Sequence, residues 1–178
     1  MLQLFGFERL GVVLADLYFL DAAPLPDQHG AERGVRLELR VLERQALEGS
    51  EYSAQPVRIG QPIWRVDLLE SVGAPGSSDR THYHPRFDGW EPGERVFDAD
   101  LSADPLGWLA ARLSALEDLL ERAGMASEGT GGLDAKALAH AALDIVAAAS
   151  RTLRKVRAGE LAEPPAAEPT VTTRLGWL

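Results

Sequence analysis

His82 and His84 stand one residue apart in the stretch GSSDRTHYHPRFDGWEPG, residues 76–93, with Asp88 and Glu91 a few positions downstream. Successive side chains of an extended backbone alternate between faces, so both imidazoles would point one way and Tyr83 the other. Pro85 favours that backbone, because the residue before a proline is pushed out of the helical region. Two neutral imidazoles side by side can share a zinc, nickel, iron or manganese ion, and a carboxylate returning from the turn would add an oxygen ligand. The spacing therefore predicts a metal set of His82 and His84 with Asp88 or Glu91, holding zinc or another divalent transition metal.

The same segment supports chemistry without a metal. Imidazole titrates near neutral pH, so His82 and His84, helped by Tyr83, Arg86 and Asp79, could serve as general base, general acid and anion holder in phosphodiester or RNA cleavage. A third reading gives the segment no chemistry: polar turns rich in Gly and Pro often carry solvated histidines, and a bare His-x-His recurs by chance.

The segment also resembles the first motif of the cupin family: Gly76, five residues, His82, Tyr83, His84, three residues and the acidic Asp88. That resemblance covers residues 76–88 and implies a barrel fold. The family places Glu where this chain has Asp88, and takes a further histidine from a later strand. After His84 the chain has one histidine, His140, in a region patterned as a helix.

Other charged positions are weaker. Asp98 and Asp100 would share one face of a strand and could hold magnesium, or could balance a basic helix end. Asp16 shares a face with Val12, Leu14 and Tyr18 and needs a partner if it is buried. His140 falls on the solvated side of its helix. A Walker loop, a dinucleotide glycine fingerprint, a nucleophile elbow and a His-Glu-x-x-His motif are all missing from the sequence.

The elements that must position the histidines are legible from periodicity. Val35, Leu37, Leu39 and Val41 alternate with Arg36, Glu38 and Arg40, which predicts a strand over 35–41 with one face in a core and one in water. Residues 10–20 and 57–69 form further strands; in the latter Trp64, Val66 and Leu68 oppose Arg65 and Asp67, and Pro62 predicts a kink or an edge. Short strands are expected near 79–84 and 94–99, and the connection 21–34, with two prolines and two glycines, reads as a loop.

Beyond residue 101 the period changes. Leu106, Leu109, Leu113, Leu116 and Leu120 recur every three or four residues, with Asp104 as N-cap, Pro105 at the first helical position and Gly124 as C-cap. A second helix over 133–158 carries Leu138, Ala142, Ile145, Ala149, Leu153 and Val156 on one stripe and basic residues in its last turns. The short EGTGG connection makes the two helices antiparallel neighbours, with the basic end of one near Asp98, Asp100 and Asp104.

The predicted fold is therefore α+β: one domain over 1–158, with an antiparallel sheet of about four to six strands covered by an antiparallel helix pair. A tail over 159–178 is rich in proline and alanine and ends in the apolar Leu175, Trp177 and Leu178. Such a terminus could add to a sheet edge or fill a groove. It makes a protein-interaction or regulatory module, bound to a protein partner or to a second copy, the first functional expectation.

Composition sets the outer limits. The chain has 178 residues, enough to bury roughly 70% of its unfolded surface in one domain. It has no cysteine, which excludes disulfides and thiolate ligands and weakly favours a reducing compartment. The apolar N-terminus carries Glu8, Arg9 and Asp16 and lacks a basic leading region, so a cytoplasmic location without a membrane span is expected. A net charge of −9 argues against nucleic acid as a partner.

Overall fold

The fold is known from a computed structural model, which describes residues 1–21, 30–123 and 131–164. The loop centred on 22–29, the Gly124 cap, most of the EGTGG turn and the apolar terminus with Trp177 lie outside the described residues.

Five strands form one antiparallel sheet in chain order: β1 (Leu2–Gly6), β2 (Leu10–Leu20), β3 (Ala31–Arg44), β4 (Val57–Ser71) and β5 (His82–His84). β1 and β5 occupy opposite edges, so the sheet stays open and does not make the barrel that the cupin resemblance implies. A small hairpin of β6 (Phe87–Asp88) and β7 (Glu91–Pro92) follows. Four helices follow among the described residues: α1 (Ala99–Ala103), α2 (Pro105–Ser114), α3 (Leu116–Arg122) and α4 (Gly131–Arg157). No described helix is long and apolar enough to cross a membrane.

Period-two alternation builds the two faces. Val12 and Leu14 on β2, Val35, Leu37 and Leu39 on β3, and Trp64, Val66 and Leu68 on β4 are all buried on the face that meets the helices. The stripe Leu138, Ala142, Ile145, Ala149 and Leu153 of α4 joins the same core, as do Trp108, Leu109 and Leu113 of α2. The rings of Trp64 and Trp108 stack at 6.2 Å between centroids, and Tyr83 lies 5.1 Å from Trp108. Tyr83 thus belongs to the helix side of the sheet.

The opposite face departs from expectation. Arg36, Glu38, Arg65 and Asp67 alternate outward as the pattern requires, yet Glu38 and Asp67 are buried. Residues 85–97 fold back over this face: Trp90 meets the Arg40 guanidinium, Phe87 meets that of Arg65, and Phe97 lies 5.5 Å from His82. What alternation marks as a water-facing surface is a covered polar layer.

Other elements refine the prediction. Pro62 faces Arg40 where the β3–β4 register shifts, and β5 reaches only Arg65–Asp67, so the proline sits at a bulge on a locally uncovered edge. The strand expected at 94–99 reduces to a single bridge, Tyr83 with Val96. Asp98 and Asp100 are not on a strand. Asp98 instead caps α1, accepting from the Asp100 and Leu101 amides and from Trp108 Nε1.

Asp104 caps α2 with Pro105 next, as predicted, but the helix does not run unbroken to 124. The Ser114 hydroxyl bonds back to the Ala110 carbonyl at 2.8 Å, and Ala115 leaves helical geometry before α3 begins. Asp16 finds its partners in the N-terminal ammonium and the Ala162 amide. His140 is exposed, as its helical position suggested.

Candidate metal centre

The covered polar layer is built by register. In the antiparallel β4–β5 pair Arg65 faces His84, Val66 faces Tyr83 and Asp67 faces His82. On the other side of β4, Asp67 is opposite Arg36 of β3. One face of three neighbouring strands therefore carries Arg36, Arg65, Asp67, His82 and His84 within side-chain reach.

Asp67, His82 and His84 each offer a ligand atom, and the three atoms lie within 4.8 Å of one another. All three residues are buried; Asp67 is 1% exposed, His84 2% and His82 4%. The group can hold a metal ion. Its carboxylate is neither of those predicted from the sequence: Asp88 and Glu91 face each other across the exposed β6–β7 hairpin, outside this cluster. The hairpin turns their side chains to water, whereas β4 delivers Asp67 to the histidines by strand pairing.

The remaining candidates also separate. Tyr83 points through the sheet to Trp108, away from both imidazoles. Arg86 is exposed. Asp79 accepts from the amide and hydroxyl of Ser71 and from the Ser77 hydroxyl, which holds the loop before β5 in place. The guanidiniums beside the histidines are those of Arg36 and Arg65.

Hydrogen bonds fix the orientation of both rings. His82 Nδ1 lies 2.8 Å from the Arg80 carbonyl and His84 Nδ1 lies 2.9 Å from the Gly93 carbonyl. A carbonyl oxygen only accepts, so Nδ1 carries the proton in each ring and the neutral ring presents a lone pair at Nε2. This is the tautomer that binds metals through Nε2, with the backbone carbonyl as the outer partner that orients the ring.

His84 Nε2 accepts from Arg65 Nη2 at 2.8 Å. His82 Nε2 faces Asp67 Oδ2 at 3.4 Å. If His82 is neutral, that second contact sets a lone pair against a carboxylate oxygen. It becomes favourable when a proton or a metal cation lies between the two atoms.

Arginine dominates the local field. Arg36 grips Asp67 with two bonds, Nε to Oδ1 at 2.7 Å and Nη2 to Oδ2 at 3.1 Å. Arg65 Nε lies 3.1 Å from Oδ2 but off the hydrogen-bond direction, and is buried without a hydrogen-bond partner. Burial alone would raise the Asp67 pKa. A proton on His82 Nε2 shared with Asp67, the hydrogen bonds from Arg36 and the charges of Arg36 and Arg65 outweigh it and hold the carboxyl well below the usual range.

For His84 burial is the main cause of a pKa pushed down to about 4; the Gly93 bond opposes it and the Arg65 charge adds to it. His84 is accordingly a neutral imidazole at physiological pH, the form a metal requires.

No family model, curated protein or solved structure matches the chain.

Proposed function

We propose that the protein binds one divalent transition metal, with zinc the leading candidate, through Asp67, His82 and His84. The observation that carries this reading is the 3.4 Å approach of His82 Nε2 to Asp67 Oδ2, with the Nδ1 proton of each imidazole committed to a backbone carbonyl and Nε2 turned to the cluster. Two ligands held at about 2.0–2.1 Å in a tetrahedral shell stand about 3.3–3.4 Å apart, so this pair already has the separation that a zinc ion imposes.

Two histidines and one carboxylate leave a fourth position for water or a substrate, the composition of a catalytic rather than a closed structural site. A metal there would activate water or polarise an oxygen of the substrate. Elemental analysis of protein purified without an affinity tag tests the reading. Near-stoichiometric zinc in the wild type, lost in His82→Gln/His84→Gln of unchanged helix and strand content, supports it. Metal-free wild type that takes up no zinc on titration overturns it.

A further inference from the structure

Beside Asp67 and His82 lies a cavity of about 270 Å³, onto which Glu32, Arg36, Arg65 and Arg95 also open. Three guanidiniums face it against two carboxylates, an excess that a bound dication raises by two. A dication beside Arg36 and Arg65 is repelled by both, and a buried site holds such a concentration of like charge only when an anion joins it.

The arginines have donors to offer. Arg36 uses Nε and Nη2 on Asp67, leaving Nη1; Arg95 uses Nη2 on Asp21 at 3.2 Å. Arg65 uses Nη2 on His84, and its buried Nε, 3.1 Å from Asp67 Oδ2 but off the hydrogen-bond direction, makes no hydrogen bond. A buried donor left unmet is costly and signals an acceptor that the site is built to receive. Guanidiniums suit oxyanions above other acceptors, since their planar donor forks match paired oxygens.

Resting on the metal reading above, we infer that this cavity takes a small phosphate monoester, whose oxygens meet Arg36, Arg65 and Arg95 and reach the open position of the metal. A dianion answers the charge excess better than a monoanion such as a carboxylate. The cavity admits a phosphate with a small organic group, for which Phe19 and Leu69 form an apolar wall. The net charge of −9 argues against a nucleic-acid polymer as the source of that phosphate. Metal and anion then bind cooperatively, and by linkage each tightens the other by the same factor.

Zinc titration at micromolar concentration, in matched ionic strength with inorganic phosphate, acetate or chloride, tests this. Phosphate is expected to tighten zinc binding at least tenfold over chloride and acetate is not; methyl phosphate should act like phosphate. In Arg95→Gln most of that gain should vanish, with zinc affinity in chloride no lower than in the wild type. Zinc binding that is the same in all three buffers overturns the inference and leaves the metal reading standing, as does acetate matching phosphate. Zinc uptake in none of the buffers overturns both.

Discussion

Arg65 donates from Nη2 to Nε2 of His84 across 2.8 Å, and the two residues are direct partners in the β4–β5 register. The guanidinium thus occupies the lone pair that a metal would use, and adds a positive charge beside it. Removing it frees the ligand and relieves repulsion. Arg65→Met is expected to bind zinc about tenfold more tightly, or better, than the wild type in phosphate-free buffer. Weaker binding in a folded Arg65→Met would show that the arginine supports the cation site instead of competing with it.

Acid should loosen the metal-free protein through His84. Its imidazole binds a proton at an ordinary pKa of 6.5 when unfolded, but only at about 4 when folded. Between those values the unfolded state holds more protons, so stability is full above pH 6.5 and declines as pH falls through the window. The loss attributable to this group is on the order of 2–3 kcal/mol by pH 4. Urea unfolding of metal-free wild type and His84→Gln between pH 7 and 4 measures it. The variant should show a shallower decline, and parallel curves would remove His84 as the cause.

Buried Asp67 neutralises the half-buried guanidiniums of Arg36 and Arg65, so its loss strands them. Asp67→Asn should destabilise the metal-free protein by about 3–5 kcal/mol, the range for breaking a buried ion pair from one side. Adding Arg36→Met removes one stranded charge and should restore part of the loss. Chemical denaturation of the two variants distinguishes this from simple volume effects, which would make the double variant worse than the single one.

Asp98 joins α1 to α2 by accepting from two α1 amides and from Trp108 Nε1 at 3.2 Å. Asp98→Ala should cost about 1–2 kcal/mol, as for other lost N-caps, and should alter the tryptophan emission because the indole N–H loses its partner. Magnesium should leave both stability and emission of the wild type unchanged. A magnesium-dependent shift would revive the cation role that Asp98 and Asp100 suggested in the sequence.

Much of the architecture was legible because it depends on local period. The alternation at 35–41 and 57–69 marks β3 and β4, and the leucine and alanine spacings mark the helices with the Asp104 cap. The site was legible by half. An extended backbone put His82 and His84 on one side with Tyr83 on the other, which strand alternation alone determines. The partner carboxylate was not, because Asp67 arrives through β4–β5 register, fifteen positions upstream across a loop whose length sets no pairing.

One signal pointed to it. Arg65 and Asp67 already stood on the polar side of a strand ending just before the histidine loop, and an antiparallel return would set them against His82 and His84. The covering of that face by residues 85–97 had no sequence counterpart, since exposed Trp90 and half-covered Phe87 look like ordinary loop residues. The break at Ala115 was hidden for a similar reason: the leucine period continues across it, while the Ala115 amide turns to the Arg112 carbonyl and its backbone leaves helical geometry.

On the proposed reading, His82, His84 and Asp67 act together on one cation. Calorimetric titration of zinc into metal-free wild type, and into His82→Gln and Asp67→Asn separately, tests it most directly. One ion per wild-type chain is expected, with affinity falling at least a hundredfold in each folded variant. Zinc binding that survives both substitutions unchanged, or a wild type that binds none in phosphate or in chloride, contradicts it.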